Sequence, residues 1–227
     1  NQGKDQLSGP LRVGAIYTVG PYLFPQLISQ MAEVAPKMPL VIEENYTASL
    51  SEALKQGELD AIIISQPYDE PGILTLDLYE EPFVVLLPSS HPLIGQKYLS
   101  KEDVLSENML LLGAGHCFRE QVLSFCPECL QAGKDNSHPL RQTLEGGSLE
   151  TIRYMVASGL GLTLLPCTAA RADRFSERLV SIKRFDKEIP SRIVSIAWRK
   201  SFPRPEAITA LKKAIEACQF SCVEAIN

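Results

Sequence analysis

The sequence predicts an α/β fold of two lobes. Within residues 11–65, short apolar runs alternate with helix-compatible segments, and βαβαβ alternation of this kind is typical of a parallel sheet. The turn-forming segment 80–82 separates two further strand-like runs and indicates a crossing between lobes. The chain has 227 residues, of which 45% are hydrophobic, so it can bury one large core or two smaller ones.

The first part of the chain is assigned from the spacing of its apolar residues. Leu23, Leu27 and Met31 recur at helical spacing, whereas the run 60–65 is apolar almost throughout, as in a strand buried on both faces. The predicted elements are a strand at 11–16, a helix at 22–34, a strand at 40–42, a helix at 49–56 closed by Gly57, a strand at 60–65, and strand-like runs at 74–79 and 83–87.

The second part continues the alternation. Ser100 and Asp103 resemble a capping box, and Ser148 and Gly159 are the residue types that begin and end a helix. The predicted elements are a short helix from 100, a buried strand at 109–112, a loop at 127–140, a helix at 148–159, a strand at 160–166, a strand at 192–198 and a helix at 205–219. The predicted organisation is 1–9 as a linker, 10–79 with 194–220 as lobe I, 80–193 as lobe II, and 221–227 as a C-terminal tail.

Composition narrows the class of protein. The formal charge of −5 argues against a basic nucleic-acid-binding surface on this segment, because phosphate binding needs clustered Lys and Arg. The sequence has neither a long apolar run that would span a membrane nor a signal-peptide pattern at its start. Its six cysteines are too irregularly spaced for a secreted disulfide scaffold, and in a reducing cytosol such residues are usually catalytic or redox-sensing. We therefore expect a cytoplasmic protein.

The segment 115–126, GHCFREQVLSFC, carries the strongest chemical signal. Cys117 lies beside His116 and close to Arg119, and a nearby positive charge or hydrogen-bond donor favours the thiolate, the form that attacks an oxidant. Cys117 is therefore a candidate sensor or nucleophile. The alternative is an ordinary buried thiol, since free cysteine is among the most buried residue types. His116 is either a structural hydrogen-bond partner or an activator of the thiol.

A second cysteine, Cys126, follows Cys117 by nine positions. If residues 118–125 are helical in the reduced protein, the two cysteines lie roughly 13 Å apart and on opposite faces. A disulfide needs Cα atoms within about 7 Å, so this bond can form only if the helix unwinds or moves. Oxidation is therefore predicted to switch the conformation. Three apolar side chains are expected to pack inward in the reduced protein: Phe118, Val122 and Phe125.

The remaining cysteines allow several interpretations. Cys126 and Cys129 form a CxxC motif, which is either a redox pair or half of a zinc site. In the zinc interpretation the other ligands would come from Cys117, His116 or His138. Cys218 and Cys222 are one helical turn apart and are interpreted as core or helix-end thiols, and Cys167 as a buried cysteine at a helix start.

The stretch 148–166, SLETIRYMVASGLGLTLLP, carries a family resemblance. Together with the two lobes of βα units, it is similar to the effector-binding domain of LysR-type transcriptional regulators, which implies a periplasmic-binding-protein-like fold. The segment 115–126 resembles the peroxide-sensing members of that family, as do residues 9–11, 18–22 and Thr47. The similarity covers roughly residues 9–218.

The resemblance implies roles for individual residues. Cys117 is the peroxidatic cysteine, and Cys126 is the resolving cysteine that closes a reversible disulfide with it. Four side chains are expected around the peroxide, with a fifth near the sensing pocket: Thr18, Thr47, His116 and Arg119, then Arg192. For Thr18 the alternative is a hydroxyl that caps the following helix, and both roles can hold at once. Two features depart from the family pattern, namely Cys129 and a long loop before Gly146, so the identity of the resolving partner stays open.

The resemblance also implies the partners. Hydrogen peroxide is the expected ligand, with no cofactor and no metal. Residues 1–9 are the expected remnant of a linker to a missing N-terminal winged helix-turn-helix, through which alone the full-length protein would bind DNA. A homodimer is expected, with a tetramer and a contact with RNA polymerase in the full-length protein, and no membrane contact.

Three functions are compatible with these features of the sequence. The first is a redox-switched sensor domain of a transcription factor. The second is a metabolite-binding effector domain or solute-binding module in which the cysteines are incidental. The third is a thiol peroxidase, which is disfavoured because the sequence lacks a thioredoxin-like motif near its N-terminal strands, so we expect a protein that is not an enzyme.

Overall fold

The computed structural model describes residues 5–131, 145–170 and 178–226, and their mixed α/β structure confirms the predicted class. The strands are β1 Leu11–Ile16, β2 Leu40–Asn45, β3 Ala61–Ser65, β4 Ile73–Pro88, β5 Tyr98–Leu99, β6 Leu111–Leu112, β7 Glu145–Gly146, β8 Thr163–Pro166, β9 Val180–Phe185, β10 Ser191–Arg199 and β11 Glu224–Ala225. The helices are α1 Gly20–Val34, α2 Thr47–Lys55, α3 Lys101–Leu105, α4 Cys117–Phe125, α5 Glu128–Gln131, α6 Leu149–Ala157, α7 Cys167–Ala170 and α8 Pro205–Ala217, and a 3₁₀ turn lies at Pro92–Gly95.

The chain divides into two compact units. Unit 1 comprises Asn1–Glu80 and Ile193–Asn227, and unit 2 comprises Glu81–Arg192. The chain passes from unit 1 to unit 2 along β4 and returns along β10. No helix in the described part of the chain is long and apolar enough to cross a membrane.

Unit 1 is organised around β1. This strand pairs in parallel with β2 and with β3, as the βαβαβ pattern predicts, and β3 pairs antiparallel with β10. Ile16 lies opposite Asn45, so β1 and β2 end at the same level of the sheet. The residues that follow these strands therefore meet at one carboxyl edge, where ligands bind in open α/β sheets.

Unit 2 is built on the second half of β4. Residues 83–88 of this strand pair antiparallel with β8 and with β9, and β5 runs parallel to β9. A separate parallel pair, β6 with β7, brings Leu112 opposite Gly146. This short pair fixes the point from which the chain turns into α4.

Several predicted boundaries differ from the structure. The runs 74–79 and 83–87 belong to one continuous strand, because Pro82 removes a hydrogen-bond donor but does not oppose extended backbone. The predicted strand 109–112 is reduced to β6, and β9 was not predicted at all. The predicted C-terminal tail contains β11, which pairs with β4. The predicted loop 127–140 begins with α5, and its residues from 132 onward lie outside the described part of the chain.

The helix ends follow local chemistry. Ser100 and Asp103 form the predicted capping box, and the hydroxyl of Ser148 accepts a hydrogen bond from the N–H of Thr151 at 3.1 Å. Just after α6, Gly159 has a φ of 81°, a backbone angle that residues with a Cβ rarely adopt. Both ends of α6 therefore lie where the sequence predicts.

Replacing Ser148 with alanine is expected to destabilise the protein by about 1 kcal/mol, because the N–H of Thr151 loses its acceptor at the helix start. Chemical denaturation monitored by circular dichroism measures the change. Ser158→Ala is the matched control at the other end of α6, where the exposed hydroxyl only donates to the carbonyl oxygen of Tyr154. Equal losses for the two variants would contradict the capping role.

Candidate functional site

The candidate site is built on the first turn of α4. Gly115 has a φ of 98°, which lets the chain turn sharply after β6, and Cys117 is the first residue of the helix. Cys117 is not disulfide-bonded and has intermediate exposure. The N-terminus of a helix has backbone N–H groups without intrahelical partners, which favour negative charge nearby. The predicted location of Cys117 beyond the carboxyl end of a strand is confirmed.

His116 and Arg119 are both fixed by backbone carbonyl groups. The Nε2 of His116 lies 3.1 Å from the carbonyl oxygen of Gly147. Since a carbonyl oxygen can only accept, Nε2 carries the proton and Nδ1 of a neutral ring is an acceptor. Arg119 donates from Nη1 to the carbonyl oxygen of Leu112 at 2.7 Å and forms a 2.9 Å ion pair with Glu145. These contacts hold the first turn of α4 against β6 and β7.

The body of α4 packs on apolar side chains of unit 2. Phe118 and Val122 are buried, and the ring of Phe118 contacts that of Phe83 edge-on with centroids 4.8 Å apart. Phe125 is half-buried and contacts Phe185 at 5.3 Å between centroids. The helix predicted over 118–125 is therefore confirmed, with two of its three apolar side chains fully buried and the third at the rim.

Cys126 closes α4 and is bonded to Cys129. Their Cα atoms are 5.6 Å apart, and the N–H of Cys129 donates to the carbonyl oxygen of Cys126 at 3.1 Å. Cys126 is fully buried and Cys129 is 8% exposed. Of the two interpretations of the CxxC motif, the disulfide fits the redox pair, since a bonded cysteine offers no thiolate to a metal.

This bond differs from the pairing expected from the resemblance. Cys126 is linked to Cys129, while Cys117 keeps its thiol. The physical reason is that an intact helix holds Cys117 and Cys126 about 13 Å apart, whereas Cys129 follows within one turn of chain. The bond between Cys117 and Cys126 stays a prediction for a state in which α4 has opened.

Arg192 forms a buried ion pair. Its Nη2 lies 2.8 Å and its Nε 2.9 Å from Oε1 of Glu81, and both side chains are completely inaccessible. The backbone N–H of Thr168 donates to the other carboxylate oxygen at 3.0 Å, and the Thr168 hydroxyl also contacts that oxygen. The guanidinium lies 5.8 Å from the ring centroid of Phe118. Arg192 therefore contacts α4 at Phe118, the residue that follows Cys117.

Thr18 and Thr47 belong to unit 1. Thr18 is buried, and Thr47 is the half-buried first residue of α2. Each lies two residues past the paired ends of β1 and β2, so both follow the same carboxyl edge of the sheet. Val19, not Thr18, occupies the N-cap position of α1. Thr18 therefore precedes the N-cap position of α1 by one residue.

The other cysteines are engaged in structural contacts. Cys218 is buried, its thiol donates to the carbonyl oxygen of Ala214, and burial raises its pKa to about 11. Cys222, which was expected to be a thiol, is disulfide-bonded, as is Cys167. Within the described residues no cluster of His, Cys, Asp and Glu is arranged to hold a metal ion. His138, a ligand in the zinc interpretation, lies outside those residues.

Sequence reasoning missed Glu81 and Thr168. Glu81 directly precedes Pro82 and the apolar run 83–87. A carboxylate beside a strand that is expected to be buried needs a buried partner, and this is the signal that could have identified Glu81. Thr168 gave no such signal, because its contact with Glu81 joins residues that are distant in sequence.

Comparison with known proteins gives consistent matches. The model of the LysR substrate binding domain family matches residues 4–219. The DNA-binding transcriptional dual regulator OxyR of Escherichia coli K12 is 33% identical over 217 residues, which cover 96% of this chain and 68% of that protein. The hydrogen peroxide-inducible genes activator of Dickeya chrysanthemi is 34% identical over 203 residues, which cover 89% of this chain and 64% of that protein.

A solved structure matches over nearly the whole chain. The reduced form of the OxyR regulatory domain from Pseudomonas aeruginosa has a TM-score of 0.85 and 48% sequence identity, covering 95% of this chain and 98% of the other. At this identity and coverage, the two domains are similar in sequence as well as in their periplasmic-binding-protein-like fold.

Proposed function

Because this chain belongs to the LysR substrate binding domain family, with OxyR proteins among its relatives, we propose that it is the hydrogen-peroxide-sensing regulatory domain of a LysR-type transcription factor. The observation that carries the proposal is Cys117, a partly exposed cysteine without a disulfide bond at the first turn of α4. Its neighbours His116 and Arg119 are held in place by backbone carbonyl groups.

The first chemical step oxidises Cys117. The thiolate attacks one oxygen of hydrogen peroxide, the O–O bond breaks, and the departing hydroxide takes a proton to become water. The sulfur becomes a sulfenic acid. His116 and Arg119 are the proposed supports of the thiolate and of the departing oxygen, and Thr18, Thr47 and Arg192 are proposed peroxide-site residues on the basis of the resemblance.

The second step is the conformational switch. The Cys126 thiol attacks the sulfenic sulfur of Cys117, water leaves, and a disulfide forms. Its Cα atoms must come within about 7 Å, so α4 has to unwind. Phe118 and Val122 then leave their buried positions at a cost of about 1.5–3 kcal/mol each. The oxidised state is therefore expected to be remodelled and easily reduced.

The proposal extends to the whole regulator. The chain spans 68% of the length of its E. coli relative, which is described as DNA-binding. We propose that DNA binding belongs to an N-terminal winged helix-turn-helix, and that the full-length protein is a cytoplasmic homodimer or tetramer that contacts RNA polymerase. The acidic charge of −5 on this segment is consistent with a domain that does not itself bind DNA.

Titration of the fully reduced protein with hydrogen peroxide tests the proposed function. One equivalent is expected to be consumed rapidly and to remove two free thiols, as counted by alkylation and intact mass. A metabolite-binding effector domain would instead keep its thiols and show a higher melting temperature with a small-molecule ligand. Continuous consumption of peroxide in the presence of a dithiol, at an undiminished rate over many equivalents, would indicate a peroxidase.

A further inference from the structure

In one segment of the structure, Cys117 is not disulfide-bonded, whereas Cys126 and Cys129 form a disulfide. If Cys126 resolves the oxidised Cys117, as proposed above, its sulfur has two possible partners. One is Cys117 at the start of α4, and the other is Cys129, four residues beyond its end. The relative stability of the Cys117–Cys126 and Cys126–Cys129 disulfides decides which of the two persists.

Packing favours the bond with Cys129. The Cys126–Cys129 disulfide coexists with a complete α4, in which Phe118 and Val122 are buried and Arg119 binds the carbonyl oxygen of Leu112. A Cys117–Cys126 disulfide requires that helix to open, and so gives up these contacts. Exchange between the two conserves the number of disulfides, so its direction depends on packing. Burial of two such side chains favours the Cys126–Cys129 bond by roughly 100-fold or more.

We propose that Cys129 ends the oxidised state by thiol–disulfide exchange, a step that rests on the proposed function. The Cys129 thiolate attacks the sulfur of Cys126 in the Cys117–Cys126 disulfide. The new Cys126–Cys129 bond forms as the old bond breaks, and Cys117 leaves as a thiolate. No external oxidant or reductant is consumed in this step, because the two oxidising equivalents only move from one pair of sulfurs to another.

The exchange gives Cys129 a distinct role. It returns Cys117 to its thiol form and lets α4 refold while the chain still holds a disulfide. The Cys126–Cys129 bond is then the site at which a dithiol reductant acts, through a mixed disulfide and then ring closure of the reductant. Cys129 is the more accessible of the two sulfur-bearing residues, at 8% exposure against 0% for Cys126, so attack at Cys129 is the expected route.

A time-resolved peptide map tests the exchange. The fully reduced chain receives one equivalent of hydrogen peroxide and is quenched at intervals with acid and N-ethylmaleimide. Trypsin cleaves after Arg119, so Cys117 falls in peptide 102–119 and the CxxC motif in peptide 120–134. A Cys117 bond links the two peptides, whereas the Cys126–Cys129 bond leaves peptide 120–134 unlinked and two hydrogens lighter.

The expected result is that linked peptides form first and then decay, while the lighter peptide 120–134 and free Cys117 increase together. In Cys129→Ser, the linked peptides are expected to persist at least about tenfold longer. Cys218→Ser is the matched control, since this buried cysteine caps the C-terminal end of α8, donates to the carbonyl oxygen of Ala214 and takes no part in the exchange. It should behave as the parent chain does.

Two results would overturn the exchange. One is a linked species that decays equally fast with and without Cys129. The other is a Cys126–Cys129 bond that forms just as quickly in Cys117→Ser, which would mean that peroxide oxidises the CxxC motif directly. Failure of the proposed function looks different, because linked peptides would then be missing from both the parent chain and Cys129→Ser.

Discussion

Replacing Cys117 with serine is expected to slow the reaction of the reduced domain with hydrogen peroxide by about 1000-fold or more. The serine hydroxyl is not ionised at neutral pH and is a far weaker nucleophile than a thiolate. The substitution is nearly isosteric and leaves Phe118 and Arg119 in place, so the fold and α4 should persist. Stopped-flow measurement of peroxide consumption gives the rate.

Cys218→Ser is the control for this experiment. Burial raises the pKa of Cys218 to about 11, so its thiol stays protonated at neutral pH and contributes little to the rate. The control should react as fast as the parent chain. A Cys117→Ser protein that still consumes one equivalent rapidly would mean that another thiol is the sensor.

Replacing Glu81 with alanine is expected to destabilise the protein by roughly 3–5 kcal/mol, because it removes the carboxylate partner of a fully buried arginine. A change of this size lowers the melting temperature by about 10 °C in a chain of this length. The loss should also loosen α4, since Arg192 packs on the ring of Phe118. Thermal unfolding followed by circular dichroism measures the shift.

The double variant Glu81→Met with Arg192→Met distinguishes loss of the whole ion pair from loss of one partner only. Replacing both partners by apolar residues is expected to cost less than Glu81→Ala alone, because no buried charge then loses its partner. Glu216→Ala is the surface control. Its ion pair with Lys212 is half-exposed, so its effect should be within about 0.5 kcal/mol. A similar small effect for Glu81→Ala would contradict a buried, essential pair.

Local patterns in the sequence predicted much of the fold. The apolar run 60–65 and the spacing of Leu23, Leu27 and Met31 correspond to β3 and α1, because each pattern depends on burial of one segment against the core. The capping box of Ser100 and Asp103 was also predictable, since its partners are three residues apart. The first turn of α4 followed from the same local reasoning.

Pairings between distant residues were not predictable. The Glu81–Arg192 contact spans 111 positions, and no periodicity relates the two residues. Pro82 suggested a break that extended backbone tolerates, so β4 was divided in two. The CxxC motif indicated a possible redox pair, but only the three-dimensional geometry shows that Cys129 meets Cys126 while α4 stays intact.

Trapping the sulfenic acid tests the proposed role of Cys117 directly. In Cys126→Ser/Cys129→Ser, neither CxxC thiol is left to condense with the oxidised sulfur. One equivalent of hydrogen peroxide is added with dimedone, which reacts with sulfenic acids, and the adduct is located by tryptic mapping. A dimedone adduct is expected on peptide 102–119, at Cys117, and on no other peptide. An adduct on another cysteine, or none at Cys117 while peroxide is consumed, would show that Cys117 is not the peroxidatic residue.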